Sequence, residues 1–245
     1  MVAFRLGLPL YRSLRHRLVV QAVVPEAPGV VSVHLGGRHL DELPVRAGQF
    51  LLLRFLGRPG ASRAHPYSLS AAPSGNRLRI TVKDLGDDSR QAARLRPGTR
   101  VLVEGPYGRL TAERRSTRKV LLLGAGIGIT PLRALAAELP QAPGDVVVVH
   151  RVRSPDDAVF HAEFEHLARS HGLRTVLLPG PRAGASWAPA RWGADGAEAL
   201  RAVVPDVAER EVYVCGPTDW MDAAIDAVRR AGVLDQRIHA ERFAW

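Results

Sequence analysis

Residues 120–131 read VLLLGAGIGITP, and this stretch decides the fold of the second half of the chain. Four consecutive apolar residues run into three glycines, followed by a threonine and a proline that favour a helix start. Apolar runs of this kind are typical of strands buried on both faces of a parallel sheet. Glycines let the backbone approach a pyrophosphate, and a helix start attracts its charge. The stretch therefore predicts a nucleotide-binding strand, turn and helix.

Within this stretch, Thr130 is the predicted N-cap of the helix and Pro131 its first residue. The usual dinucleotide fingerprint has its third glycine where Ile129 stands, so the form differs from the standard one. A tight turn that binds no ligand is the alternative. The candidate nucleotide-binding residues are Gly124, Gly126, Gly128, Thr130 and Pro131.

From residue 119 onward, apolar strand patterns alternate with helical ones. This alternation predicts an α/β domain with a doubly wound, mostly parallel sheet. The expected strands are 120–123, 145–149, 174–178 and 211–214, with a weaker fifth at 237–240. The expected helices are 131–139, 157–170, 194–203 and 218–231.

The first half of the chain shows short apolar segments separated by proline and glycine turns. Six strands at this spacing predict a small antiparallel β-barrel, interrupted by one short helix over 89–95. A polar stretch over 111–118 reads as a linker, which gives predicted domains of 1–113 and 114–245. The six expected strands are 18–24, 30–34, 49–55, 67–70, 77–83 and 100–104.

The amino-acid composition favours some classes of partner and excludes several kinds of site. The formal net charge of +10 comes almost entirely from arginine and favours polyanionic partners, although a general arginine bias explains it equally well. Cys215 is the only cysteine, which excludes an internal disulfide and a cysteine-ligated iron–sulfur cluster. The histidine spacings do not predict a metal site.

The longest uncharged apolar run, 120–132, is too short to span a bilayer, and no signal peptide is recognised, so a cytoplasmic location is expected.

Two further segments complete a pattern with the glycine stretch: HPYS at residues 65–68 and CGP at residues 215–217. In this order and at these separations, the three segments resemble the ferredoxin–NADP reductase superfamily over nearly the whole chain. The His-Pro-aromatic-Ser form looks like the FAD- and NAD(P)H-binding half of ferric reductases and NADPH oxidases. The resemblance implies FAD in the first domain and NADPH or NADH in the second.

For the flavin half, the resemblance places the ring of Tyr67 against the isoalloxazine and the hydroxyl of Ser68 toward its N5 nitrogen. His65 stands where most relatives have an arginine paired to the flavin pyrophosphate. The segment over 83–89 resembles the second flavin-binding segment, although an ordinary helix-capping loop explains it equally well. The implied FAD-binding residues are His65, Pro66, Tyr67, Ser68, Lys83, Gly86 and Ser89.

For the nucleotide half, the resemblance places Cys215 beside the nicotinamide ring, followed by Gly216 and Pro217. At the end of the second strand, basic or neutral residues stand where an acidic residue would bind an unphosphorylated ribose. After the third strand, the resemblance places Arg182 where relatives have the arginine that binds a 2′-phosphate. NADPH is therefore expected over NADH, read by Arg151, Arg153 and Arg182. Relatives cover the flavin with a terminal aromatic residue, for which Trp245 is the first candidate and Phe243 the alternative.

The resulting hypothesis is an FAD-dependent NAD(P)H oxidoreductase, with Ser68, Cys215 and Trp245 as its catalytic candidates. It would pass electrons one at a time to an acceptor outside this chain. The expected acceptor is a haem membrane protein or domain, and the alternative is an iron–sulfur or small redox protein. The arginines before residue 18 suit a junction with the cytoplasmic membrane face. The alternatives are a soluble reductase of ferric chelates, free flavin or a small redox protein, and a basic nucleic-acid-binding protein, for which no recognition motif is found.

Overall fold

The computed structural model describes residues 2–57, 63–139, 142–182 and 184–242. It consists of two compact units, Met1–Gly108 and Arg109–Trp245. The division after Gly108 lies five residues before the predicted boundary between residues 113 and 114, and it precedes the polar stretch 111–118. Each unit has its own hydrophobic core.

Unit 1 is built from antiparallel sheets. Its two three-stranded sheets have the orders β1-β2-β5 and β4-β3-β6. Isolated bridges between Val19 and Arg100 and between Leu69 and Ile80 connect strands of the two sheets. This confirms the predicted antiparallel barrel. The strands are β1 Val19–Ala27, β2 Val30–Gly36, β3 Phe50–Phe55, β4 His65–Ser68, β5 Arg77–Lys83 and β6 Val101–Tyr107.

The core of unit 1 follows from the two-residue period of its strands. In β3, Leu51, Leu53 and Phe55 are fully buried, whereas the residues between them are half-buried. The buried face packs against apolar residues of β2 and β5, such as Leu35 and Ile80. One face of each sheet therefore forms the core, and the other is available for ligands or for covering elements.

A helix that the sequence did not predict, α1 Val2–His16, covers part of the outer face. Pro9 lies inside it, and a proline within a segment disfavours a helix prediction from the sequence alone. Its position depends on a long-range contact with β6, because the Ser13 hydroxyl accepts from the Val103 amide at 3.0 Å. The same hydroxyl donates to the Val103 carbonyl at 3.3 Å.

The single short helix predicted over 89–95 is shorter and earlier than expected. It forms as α2 Asp87–Arg90, followed by a 3-10 turn over Gln91–Arg94. The Ser89 hydroxyl accepts from the Leu85 amide at 2.7 Å and donates to the Gly86 carbonyl at 2.9 Å. These bonds close the loop on itself.

Unit 2 confirms the predicted doubly wound α/β fold. Its five strands are parallel in the order β11-β10-β7-β8-β9. Since β7 has β8 on one side and β10 on the other, the strand order reverses at the carboxyl ends of β7 and β10, where such sheets bind ligands. The strands are β7 Val120–Ala125, β8 Val146–Val152, β9 Arg174–Pro179, β10 Glu211–Cys215 and β11 Ile238–Ala240. The helices are α3 Ile129–Glu138, α4 His161–His171, α5 Gly196–Val203 and α6 Thr218–Arg230.

The start of α3 corrects one prediction. The N-cap is Gly128 and not Thr130, because the glycine turn already winds into the helix. Thr130 lies in the first turn, where its hydroxyl donates to the Ile127 carbonyl at 2.9 Å. Helix α4 also begins later than expected, after a 3-10 turn that Ser154 caps.

Candidate functional site

The glycine turn after β7 lies directly against the turn after β10. Cys215 pairs with Gly124 at the ends of the two strands. A Cβ atom added at Gly128 would lie 2.5 Å from the Cys215 carbonyl oxygen and 2.6 Å from the Gly216 Cα. Both neighbours are backbone atoms that cannot rotate away. Glycine is therefore required at residue 128 for the two turns to meet at this switch point.

Gly126, in contrast, faces open space. Its φ is +52°, a left-handed conformation that favours glycine, and no heavy atom lies within 4 Å of the place where a Cβ would stand. Its carbonyl lies 3.1 Å from Nε2 of His150. Burial lowers the pKa of His150 to about 4, so the neutral ring donates from Nε2 to this carbonyl and holds the peptide in one orientation. A fixed glycine turn with room beside it fits a nucleotide pyrophosphate.

Cys215 ends β10 and is fully buried. Burial, with a smaller effect of the Glu241 carboxylate, raises the pKa of its thiol well above the usual value. The thiol therefore stays protonated, and it donates to the Glu241 carbonyl at 3.7 Å. A neutral, buried thiol is a poor covalent nucleophile, which agrees with a role in packing beside a ligand.

Glu241 is a site residue that the sequence analysis missed. It follows β11, and the parallel pairing of Val214 with Ala240 brings it next to Cys215. Its Oε2 atom is buried and has no hydrogen-bond partner among the described residues. Burial raises the pKa of its carboxyl to about 7. The available signal was its position, one residue past a predicted strand at the carboxyl edge of the sheet.

This carboxyl makes the stability of the fold depend on pH. The pKa of Glu241 is higher in the folded chain than its ordinary value of 4.5, so its contribution to stability is complete below pH 4.5 and is lost as pH rises through about 7. We expect Glu241→Gln to flatten this decline, measured as melting temperature between pH 5 and pH 8. Parallel melting curves for the variant and the parent chain would contradict the assignment.

Three arginines converge near the carboxyl ends of β8 and β9. Arg151 is only 7% exposed, and Nη1 donates to the Leu178 carbonyl at 3.3 Å, whereas Nε has no partner among the described residues. Burial, followed by the charges of Arg182 and Arg191, lowers the pKa of Arg151. Mutually repelling cations around a buried donor form a site that an anion would stabilise. Arg191 was not singled out from the sequence.

Arg182 holds the loop that follows β9. Its Nε donates to the Ser186 carbonyl at 2.8 Å, and its Nη2 donates to the carbonyls of Ala185 at 3.2 Å and Asp219 at 3.0 Å. All three acceptors are neutral backbone carbonyls. Arg153, the third predicted phosphate reader, is exposed, and its carbonyl accepts from the Gly180 amide at 3.1 Å.

In unit 1, the HPYS segment forms β4, which begins and ends two residues earlier than the strand predicted over 67–70. The Ser68 side chain is 8% exposed, and its Oγ has no hydrogen-bond partner among the described residues. Because a buried unsatisfied hydroxyl costs about 1–3 kcal/mol, a ligand atom that accepts its proton is a physical reason for its presence. Tyr67 packs edge-on against Phe55, with ring centroids 5.9 Å apart, and its centroid lies 6.5 Å from that of His65. Pro66, between them, is exposed.

The second predicted flavin segment has the geometry of a capping loop. Lys83 ends β5, where it pairs with Val30 of β2. The Ser89 hydroxyl is occupied by its bonds within the loop, and α2 has only four residues. A pyrophosphate contact by Gly86 and Ser89 stays a prediction. Trp245 and Phe243, the candidates to cover the flavin, lie outside the described residues.

Among the described residues, no helix is both long enough and apolar enough to cross a bilayer. No group of three or more histidine, cysteine, aspartate or glutamate side chains there is arranged to hold a metal ion.

Several known proteins are similar to this chain in sequence or in fold. Residues 122–226 match the family described as the oxidoreductase NAD-binding domain. The ferredoxin reductase component of 3-ketosteroid-9-alpha-monooxygenase from Mycolicibacterium smegmatis is 34% identical over 208 residues, 83% of this chain and 57% of that protein. The glycine betaine monooxygenase reductase subunit of Chromohalobacter salexigens is 33% identical, covering 81% of this chain and 56% of that protein. The chain thus spans little more than half of these two relatives.

A relative of more similar length is the NADH oxidoreductase HCR of Escherichia coli, 31% identical over 235 residues, 93% of this chain and 67% of that protein. Among solved structures, the Amycolatopsis cytochrome P450 reductase GcoB is similar with a TM-score of 0.75 and 25% identity, over 93% of this chain and 69% of that one. A ferredoxin NADP+ reductase from Neisseria gonorrhoeae, solved with FAD and NADP, has a TM-score of 0.73 at 18% identity, over 92% and 97% of the two chains. At that identity the likeness concerns the fold alone.

Proposed function

Since the chain belongs to the ferredoxin–NADP reductase superfamily, we propose that it is an FAD-dependent oxidoreductase that oxidises NAD(P)H and delivers electrons to a separate acceptor. The observation that carries this proposal is the glycine turn packed against Cys215 and Gly216 at the switch point of the parallel sheet. A turn this tight, with open space at Gly126, suits a nucleotide pyrophosphate.

The residues present fit both cofactors. Ser68 supplies a buried hydroxyl without a partner in the described chain, and Tyr67 of the same strand supplies an aromatic surface for FAD. In unit 2, the turn around Gly126 would hold the coenzyme pyrophosphate, and Cys215 would pack beside the nicotinamide. When bound, the flavin accepts a hydride from the nicotinamide and returns electrons one at a time. The protein contributes position, exclusion of water and hydrogen bonds.

The proposal also concerns which protein accepts the electrons. Two of the relatives are reductase components of monooxygenases by name, which supports a ferredoxin or an oxygenase component as the acceptor. The HPYS form of β4 supports instead a haem membrane protein or domain of the ferric reductase kind. Reduction of cytochrome c or ferricyanide tests the shared activity, and addition of membranes or of a ferredoxin separates the two acceptors.

Reconstitution tests the cofactor directly. The purified chain incubated with FAD and passed through a desalting column is expected to retain about one flavin per chain, released on heating as FAD. NAD(P)H should then drive cytochrome c reduction that depends on this FAD. A chain that folds, as shown by circular dichroism, but retains no flavin would overturn the proposed function.

We further propose that NADPH is preferred, with Arg151 as the main reader of the 2′-phosphate. A charge-assisted bond of this kind contributes about 1.5–3 kcal/mol, roughly tenfold or more in affinity. Arg151→Met is therefore expected to raise the KM for NADPH about tenfold and to leave that for NADH nearly unchanged. Arg182→Ala should weaken both coenzymes, because Arg182 also holds the loop after β9.

The matched control is Arg229→Gln, which removes an arginine in the last turn of α6 that pairs with Asp235. It should leave both KM values unchanged. Equal increases for NADPH and NADH in Arg151→Met would reject Arg151 as the phosphate reader.

A further inference from the structure

Helix α1 presents an apolar face to solvent. Leu10, Tyr11 and Leu14 are 59%, 58% and 63% exposed. Successive helical residues are about 100° apart, so these three lie within one arc of the helix surface. On the opposite side, Ser13 and His16 are buried against unit 1. The helix is thus docked mainly through this buried side, which leaves Leu10, Tyr11 and Leu14 largely exposed.

The apolar face continues into a groove beside the helix. The groove has a volume of about 290 Å³ and runs between α1 and the outer face of strands β3 and β6. Most of its lining is apolar, with Pro9, Leu10, Leu52 and Leu102 among its walls. Arg54 and Glu104 also line it, and the Glu104 carboxylate accepts a hydrogen bond from the Tyr107 hydroxyl at 2.6 Å.

The same segment is strongly basic. No aspartate or glutamate occurs before Glu26, whereas arginine occupies residues 5, 12, 15 and 17. Arg15 pairs with Glu42, whereas Arg12 donates to the Gly105 carbonyl, a neutral group. Arg17 likewise donates to a carbonyl, that of Leu14. The segment that carries the apolar face thus has a net positive charge.

We propose that the outward face of α1 binds the surface of an anionic lipid bilayer, with Leu10, Tyr11 and Leu14 inserted at the level of the headgroups. Leucines with an interfacial aromatic residue and flanking arginines are the composition of helices that lie in a membrane surface. The three exposed side chains cover a much smaller area than the roughly 800 Å² that a stable protein interface buries on each partner. Binding to a bilayer requires less apolar contact area, because the lipid phosphates also attract the arginines electrostatically. The proposal is independent of reductase activity, since it requires neither coenzyme.

Vesicle sedimentation tests this surface. The full chain, reconstituted with FAD, is mixed with vesicles of phosphatidylcholine alone or with a third of phosphatidylglycerol, and the bound fraction is measured. We expect binding to the anionic vesicles only, and a decrease of about tenfold in the double variant Leu10→Ser, Leu14→Ser. The matched control, Val24→Ser with Leu234→Ser, removes two other exposed apolar side chains, 41% and 52% exposed, and should bind like the parent chain.

The salt dependence of the parent chain gives a test that does not depend on any variant folding. Raised salt should weaken binding to anionic vesicles, because it screens the arginines. Failure to bind anionic vesicles, equal binding to both vesicle types, or binding unaffected by salt would each overturn the proposal. So would a dimer in sedimentation velocity that the Leu10, Leu14 double variant abolishes, because the face would then be an interface between two copies.

Discussion

Gly128→Ala is expected to reduce coenzyme turnover at least about 100-fold. The new methyl group would stand 2.5 Å from the Cys215 carbonyl oxygen and 2.6 Å from the Gly216 Cα, so the two turns must separate. A displacement of about 1 Å near reacting groups costs on the order of 10² in rate. Overpacking of this kind also destabilises a core by about 1–3 kcal/mol. The measurements are kcat/KM for NADPH, NADP+ binding and the thermal midpoint.

Gly144→Ala is the matched control for this variant. Gly144 has a φ of +81° and no heavy atom within 4 Å of its added Cβ, so alanine there introduces backbone strain without a steric clash. It should lower the thermal midpoint and leave coenzyme binding intact. If Gly128→Ala bound NADP+ as tightly as the parent chain, the packed turns would not be the coenzyme site.

Ser68→Ala is expected to slow reduction of bound FAD by NADPH about 100-fold, without loss of FAD. The Ser68 hydroxyl is buried and has no partner among the described residues, so its removal costs the fold no hydrogen bond seen there. A single donor to a reacting centre is typically worth 10²–10³ in rate, so about 100-fold is the expected loss. Rapid mixing under anaerobic conditions measures the rate, and thermal melting measures the stability.

Ser70→Ala provides the contrast. Ser70 is fully buried, and its hydroxyl accepts from the Thr81 hydroxyl at 2.8 Å and from Arg79 Nε at 3.2 Å. Its removal should lower stability by about 1–3 kcal/mol and leave the rate of reduction nearly unchanged. The opposite pattern, an unstable Ser68→Ala chain that is reduced at the normal rate, would make Ser68 a structural residue.

Local patterns in the sequence were enough to predict both folds. The apolar run into the glycine turn over residues 120–131 specifies a buried strand and a helix start within one short segment. The six short strands of unit 1 are separated by turn residues, so their number and antiparallel arrangement followed from spacing. The predicted N-cap of α3, Thr130, was wrong, because the glycines over Gly126–Gly128 already form a 3-10 turn that continues into the helix.

The features that were missed depend on contacts between distant segments. Helix α1 has a proline in its middle and is positioned by the bond between Ser13 and Val103, which no local pattern reveals. Glu241 reaches Cys215 only through the pairing of β11 with β10. The mutual influence of Arg151, Arg182 and Arg191 requires the loop after β9 to fold back on β8, so spacing along the chain does not show it.

Anaerobic mixing of the FAD-loaded chain with NADPH is the most direct measurement. Bound FAD should lose its visible absorbance at a rate that saturates with NADPH, and NADH should do the same at higher concentrations. A one-electron acceptor added afterwards should restore the absorbance. A folded chain that binds no FAD, or one whose bound FAD keeps its absorbance with both coenzymes, would contradict the proposed electron transfer from NAD(P)H to FAD.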